Sequence, residues 1–183
     1  MPSSDSNTLI SRIRADNKAL RALNCHLSDE LKVVQAHNKS LLMELKPIRA
    51  LKAGKAWLVQ HGFMEGDAHN EIQIDGVLTY PLEYACEQGN LDACRWLYAN
   101  GASADITRAS TRASNKGFTP MFFACHNGHL PVCKWLFEVG ASADIIRADN
   151  IGRTPMWMAC RNGHLPVCQW LFEVGASADI TRA

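Results

Sequence analysis

Apolar residues between positions 9 and 46 recur with the seven-residue period of a coiled coil, whose positions are lettered a to g. With Ile10 at position a, every d residue is aliphatic, and every a residue that is not aliphatic is asparagine. Asparagine at a favours parallel dimers and fixes their register. The pattern predicts a coiled coil over 9–46 and a homodimer held by Ile10, Ile13, Asn17, Leu20, Asn24, Leu27, Leu31, Val34, Asn38, Leu41 and Leu45.

The alternative for this segment is a single amphipathic helix packed on the rest of the chain. Such a helix would bury unpaired asparagine amides, which costs stability, so the self-associating coil is favoured. Residues 1–8 are expected to form a disordered tail. Pro47 is expected to end or kink the helix at Lys46, because proline lacks the backbone N–H that a helix interior needs.

A second pattern, of period 35, occupies the C-terminal part of the chain. Residues 117–148 and 152–183 are nearly identical, with Pro120 matching Pro155, and residues 78–109 form an earlier copy. The first offset is four residues longer, and the doubled TRAS of residues 107–114 accounts for the difference. Residues 57–62, WLVQHG, match the second half of a copy, so 47–74 is interpreted as a linker with a degenerate capping helix.

Each copy contains the signals of two short helices. Thr119-Pro120 suits a helix start, since threonine can cap free N–H groups and proline tolerates the first helical position. Gly128 supplies the left-handed residue that ends this helix, and a second amphipathic stretch runs from there to Gly140. Neither helix can bury its apolar side by itself, so the copies are expected to stack.

These residues resemble the ankyrin repeat, most clearly in DNIGRTPMWMACRNGHLPVCQWLFEVGA at 149–176. The resemblance implies an all-α fold: an ankyrin-repeat solenoid of helix-turn-helix units with hairpin-like turns over 75–183, preceded by a long coiled-coil helix. The chain departs from the family at its usual histidine, which is replaced by Glu83, Phe122 and Trp157. The stop at Ala183 without a polar cap is consistent with a fragment that lacks further repeats.

The resemblance also implies a function, because ankyrin repeats bind partner proteins on their concave side with turn tips and first helices. The matching positions that differ among the copies are Thr79, Glu87, Gln88, Asn115, Lys116, Phe118, His126, Asn127, Asn150, Ile151, Arg153, Arg161 and Asn162. Arginines on this side raise the hypothesis of a basic groove for an acidic peptide. Interleaved aspartates favour ordinary solvated charge instead.

Charge and cysteine content exclude several other classes. With 19 basic and 18 acidic residues, no nucleic-acid or membrane partner is expected, and the start has no apolar signal core. We therefore expect an intracellular location, cytoplasmic with the nucleus open. The seven cysteines include no Cys-x-x-Cys pair and are interpreted as reduced, mostly buried thiols, with neither a metal nor a cofactor.

No nucleophile, base and orienting residue recur together, so the chain is not expected to be an enzyme. The favoured function is an adaptor that dimerises through the coil and binds an unidentified protein through the concave surface. Two alternatives stay open: a transcription regulator acting through partner proteins, and a repeat fragment without independent function.

Overall fold

The structure is a computed structural model that describes residues 4–64, 66–74, 76–112 and 117–176, with side chains from Ser11 onward except that of His69. The α-helices are α1 (Ser4–Gln60), α2 (Pro81–Glu87), α3 (Leu91–Ala99), α4 (Pro120–His126), α5 (Leu130–Glu138), α6 (Pro155–Arg161) and α7 (Leu165–Glu173). Strands β1 (Ile72–Ile74) and β2 (Val77–Thr79) pair antiparallel, with Ile72 opposite Thr79. Short 3₁₀ segments lie at Asp67–His69, Ala102–Thr107 and Ser142–Ile145.

Helix α1 differs from the sequence expectation at both ends. It begins at Ser4, so residues 4–8 are helical, and no proline or glycine lies between Ser4 and Leu9 to stop a helix that has already formed. It also continues through Pro47, so of the two predicted outcomes, an end or a kink at Lys46, the end is wrong. Proline inside a helix costs about 3 kcal/mol, and the buried residues that follow it in α1 supply an offsetting contribution.

The chain divides into two compact units, Met1–Ile48 and Arg49–Ala183, so the last turns of α1 belong to the repeat unit. There Leu58 is buried in the common core, and Trp57 stacks on Tyr84 with ring centroids 5.7 Å apart. A Cβ atom at Gly54 would lie 2.2 Å from the carbonyl oxygen of Asp92, so this part of α1 approaches α3 too closely for any larger residue. The segment therefore covers one face of the first repeat.

Three helix pairs, α2–α3, α4–α5 and α6–α7, form the repeats, so the expected all-α arrangement of helix-turn-helix units is confirmed. The expected threonine caps are present: Thr119 accepts a hydrogen bond from the Phe122 N–H at 3.2 Å, and Thr154 accepts one from the Trp157 N–H at 3.3 Å. The first helices approach one another more closely than the second helices do. This difference places α2, α4 and α6 on the concave side.

Aromatic residues join the second helices of neighbouring repeats. Trp135 and Trp170 are buried, and each ring is met edge-on by an aromatic residue of the preceding repeat. The partners are Tyr98 and Phe137, and both pairs have ring centroids 5.8 Å apart. Trp135 and Trp170 are core residues, because edge-to-face packing suits large rings in a stacked core.

Two histidines that precede second helices, His129 before α5 and His164 before α7, connect neighbouring repeats. His129 Nε2 lies 3.0 Å from the carbonyl oxygen of Glu87, and His164 Nε2 lies 2.9 Å from that of His126. A carbonyl oxygen can only accept, so Nε2 carries the hydrogen in both rings. Each histidine thus pairs with the end of the preceding repeat's first helix, where the helix leaves carbonyls without an internal partner.

The glycine that follows the first helix of one repeat leaves room for the histidine ring of the next repeat. A Cβ atom at Gly128 would lie 2.5 Å from Nδ1 of His164, and one at Gly89 would lie 2.4 Å from Nδ1 of His129. Gly163 occupies the same turn position in the third repeat, and nothing lies within 4 Å of its Cβ position. Gly128 and Gly163 have left-handed φ angles of 77° and 76°, so they differ in their surroundings and not in their backbone.

This difference gives a test of the histidine contact. Gly163→Ala should lower the free energy of unfolding by about 1 kcal/mol, the cost of alanine in the left-handed region. Gly128→Ala should lower it by roughly 1–2 kcal/mol more, because the new methyl group displaces the His164 ring from the carbonyl oxygen. Urea unfolding of the two variants measures the difference. Equal losses would show that the ring contact adds nothing to stability.

Candidate functional site

The predicted dimerisation residues form an exposed stripe along α1. The aliphatic side chains at a and d from Ile13 onward are 41–59% exposed: Ile13, Leu20, Leu27, Leu31, Val34, Leu41, Leu45 and Ile48. Asn17, Asn24 and Asn38 are exposed on the same stripe, and the side chain of Ile10 lies outside the described residues. So many large aliphatic groups on one face of a helix are characteristic of an interaction surface.

The second candidate surface is the concave side of the repeats. Five of the predicted contact residues line one cleft of about 210 Å³: Glu87, Phe118, His126, Asn127 and Arg153. Its other walls are Phe123 and Met158. Glu87 also lines a neighbouring cleft of about 200 Å³, together with Gln88, Thr79 and Arg112. The structure therefore brings residues from all three repeats to one side.

Two predicted contact residues need correction, because they are buried. Thr79 is 2% exposed, and Phe118 is 5% exposed. Phe118 belongs to a small separate apolar cluster in which its ring centroid lies 4.0 Å from that of Phe122 and 5.2 Å from that of Phe123. Both residues differ among the copies for reasons of local packing, so variation was a poor guide to exposure here.

Most of the other predicted residues are accessible. Gln88, Asn150, Ile151, Arg161 and Asn162 are exposed, and Ile151 reaches 73%. Asn162 also has a structural role, since its side-chain amide donates a hydrogen bond of 2.8 Å to the carbonyl oxygen of His126. Asn115 and Lys116 lie outside the described residues.

Trp157 was not among the predicted contact residues, yet it lies on this surface. It is 37% exposed, and the guanidinium carbon of Arg161 lies 5.0 Å from its ring centroid. The equivalent residues Glu83 and Phe122 are buried. The sequence could have indicated Trp157 as a contact residue, because its position differs among the three copies, as the predicted contact positions do.

Three arginines on this side, Arg112, Arg147 and Arg153, form ion pairs with carboxylates. Arg153 lies 2.6 Å from the buried Asp149, and Arg147 lies 3.4 Å from Asp144. Arg112 lies 3.0 Å from Glu87. The structure thus has the interleaved charges that the sequence favoured over a basic groove.

Arg112 belongs to the four-residue insertion between the first and second repeats. The Ser110 N–H donates to the Phe118 carbonyl at 2.7 Å, as the Asp149 N–H donates to that of Arg153 at 2.9 Å, so the base of this turn is kept and the extra residues follow Ser110. Arg112 reaches back to the first repeat, where its Nε lies 2.7 Å from Glu83 Oε1 and its guanidinium donates a hydrogen bond to Thr79. The Arg112 side chain therefore covers part of the first repeat.

The carboxyl group of Glu83 has an unusual pKa because it is buried. Burial raises its pKa from the ordinary 4.5 to about 7, although the Arg112 charge and a hydrogen bond of 2.9 Å from the Ser110 hydroxyl act in the opposite direction. The nearby carboxylates of Glu87 and Glu71 add smaller upward contributions. The unfolded chain releases this proton near pH 4.5 and the folded protein near pH 7, so the free energy of unfolding falls as the pH rises through this window.

Glu83→Gln should remove this pH dependence. Between pH 4.5 and 7 the wild type should lose on the order of 3 kcal/mol relative to the variant, because glutamine carries no charge to bury. Urea unfolding across this pH range measures the difference, and Glu138→Gln, at an exposed position of α5, serves as the control. A glutamine variant whose stability follows the wild-type pH curve would refute the raised pKa.

No group of three or more histidine, cysteine, aspartate or glutamate side chains in the described part of the chain is arranged to hold a metal ion. Among the described helices, none combines the length and the apolar character of a membrane span.

Comparison with known proteins adds one finding. A family model described as ankyrin repeats (3 copies) matches residues 82–182, more than half of the chain. A comparison with curated proteins gave no match. The matched segment contains α3 to α7 and all of α2 except Pro81, the threonine caps of α4 and α6, and the cleft between Glu87 and Arg153. The chain therefore belongs to the ankyrin-repeat family.

Proposed function

We propose that this protein is a bivalent adaptor, which dimerises through α1 and binds a partner protein with the concave surface of each ankyrin domain. Protein–protein interaction is the general role of ankyrin repeats. The homodimer and the binding surface are specific to this chain. The observation that carries the proposal is the exposed aliphatic stripe from Ile13 to Ile48, which belongs to a different compact unit of the chain from the repeats.

The pattern of the stripe favours a second copy of the chain as its occupant. An asparagine at a can hydrogen-bond to the same residue of an identical helix, whereas an unrelated apolar partner would leave the amide without a partner. The stripe contains three such residues, Asn17, Asn24 and Asn38, between aliphatic layers. Burial of the aliphatic layers stabilises the dimer, and the asparagines select the parallel, in-register arrangement.

The concave surface combines properties common in protein interfaces. Trp157 and Ile151 offer exposed apolar area, and Arg161 lies beside the tryptophan ring. Tryptophan and arginine are the residues most enriched among those that dominate binding energy. The paired charges around them supply polar groups without a strong net field, so shape and apolar contact carry more of the recognition than charge.

Two identical surfaces on one dimer raise affinity for a partner that is itself dimeric or clustered. Once one surface is bound, the second binds within the same complex, and avidity can exceed single-site affinity by roughly 100-fold or more. The coil therefore contributes to partner binding without touching the partner.

A quantitative affinity capture from cell extract tests both halves of this proposal. The baits are the wild type, Ile151→Ala/Arg161→Ala on the concave side, and Lys134→Ala/Gln169→Ala at exposed positions of α5 and α7. Leu27→Glu places a charge at position d, and Val33→Glu places one at the 70% exposed position c. The wild type should enrich a protein that the concave variant loses and the α5/α7 control keeps.

The two variants of α1 test whether dimerisation strengthens capture of the partner without contacting it. Leu27→Glu should hold the captured protein much more weakly than the wild type, and Val33→Glu should match the wild type, because only the first charge falls in the dimer seam. Equal capture by the concave variant would contradict the assigned surface. Equal retention by Leu27→Glu would contradict bivalent binding.

A further inference from the structure

Each repeat contains one cysteine on its first helix and one on its second, and two of the three pairs are fully buried. The Sγ atoms of Cys86 and Cys94 lie 3.6 Å apart, as do those of Cys125 and Cys133, and all four residues are 0% exposed. These thiols fill small spaces in the core, as free cysteine commonly does.

The third pair differs in both distance and exposure. Cys160 on α6 is exposed, and Cys168 on α7 is half-buried. The Cys160 thiol donates a hydrogen bond to the Cys168 sulfur, and the two sulfur atoms are 3.1 Å apart. This separation is shorter than in the buried pairs, so only a small side-chain movement is needed to join the sulfurs.

We propose that Cys160 and Cys168 are a redox modification site, at which a hydroperoxide converts the two thiols into a disulfide between α6 and α7. Cys160 releases its thiol proton to water, and the thiolate attacks the terminal peroxide oxygen. The O–O bond breaks, Cys160 becomes a sulfenic acid, and the departing alkoxide takes up a proton from water and leaves as the alcohol, or as water when the oxidant is hydrogen peroxide. The Cys168 sulfur then attacks the Cys160 sulfur and forms the S–S bond. Hydroxide leaves and takes the Cys168 proton as water, so two thiols are oxidised by the two electrons that the peroxide accepts.

Exposure sets the order of these steps. The oxidant reaches Cys160 first because that thiol is open to solvent. Burial and the hydrogen bond from Cys160 raise the pKa of Cys168 to about 12, so Cys168 carries little thiolate and is a poor first nucleophile. It acts in the second step because it is held beside the sulfenic acid, and proximity of this kind replaces a high concentration of attacking thiol.

The other cysteines provide controls within the same chain. The buried pairs are closed to the oxidant, and burial raises the pKa of Cys86 and Cys125 well above the ordinary thiol value. Cys25 is exposed on α1 and would react independently. A Cys25→Ser background removes that reaction and leaves the three repeat pairs to compete.

Peptide mapping distinguishes the three pairs directly. The folded full-length Cys25→Ser protein is treated with hydrogen peroxide, alkylated under denaturing conditions and digested with trypsin. Cleavage after Arg153 and Arg161 places Cys160 in peptide 154–161 and Cys168 in peptide 162–182. Their disulfide therefore joins two peptides, whereas Cys125 and Cys133 share peptide 117–134.

We expect the joined species 154–161/162–182, its separation on reduction, and full alkylation of the two buried pairs. Cys168→Ser should instead accumulate a sulfenic acid at Cys160 that dimedone traps, because the second thiol is absent. Peroxide-treated protein in which Cys160 and Cys168 are both alkylated would overturn the proposal. So would over-oxidation of Cys160 to the sulfinic acid without any joined peptide.

Discussion

The fold depends on one constraint: no single repeat can bury the apolar sides of its own two helices. Stacking meets this constraint through two sets of contacts. Aromatic rings meet edge-to-face between second helices, and a histidine before each of α5 and α7 hydrogen-bonds to the end of the preceding repeat's first helix. Gly89 and Gly128 are part of the same arrangement, because the rings of His129 and His164 occupy the space that a Cβ atom would need at these glycines. The buried end of α1 gives the first repeat a neighbour on its other side.

The concave surface follows from this stacking, because the first helices lie closest together on that side. Its three repeats are not equivalent. In the first repeat, Arg112 from the insertion lies over Glu83 and Glu87, whereas the third repeat leaves Trp157, Arg161 and Ile151 exposed. The accessible part of the surface is therefore concentrated toward the third repeat, and the buried Glu83 makes stability near the first repeat depend on pH.

Local signals in the sequence predicted much of the fold. Thr-Pro pairs start helices and glycines end them through the local backbone, so both could be interpreted without tertiary information. The 35-residue offset could be read directly from the sequence because it repeats these local signals. The continuation of α1 through Pro47 could not be predicted in this way, because a local pattern does not show that Leu58 packs against the repeats. The contact residues were predicted in part: exposure of Ile151 agreed with the family pattern, but burial of Thr79 and Phe118 depends on Arg112 and on neighbouring rings.

In the proposed function, the coil determines how many binding surfaces one assembly has, and the repeats determine which protein is bound. The claim on which this account rests is the dimer, and the most direct measurement is the solution mass by light scattering. The whole chain, of 20.2 kDa, should have twice that mass, and a version starting at Pro47 should have the mass of one chain. Pro47 suits a new helix start, so the truncation keeps the segment that covers the first repeat. A whole chain with the mass of one copy would contradict the account.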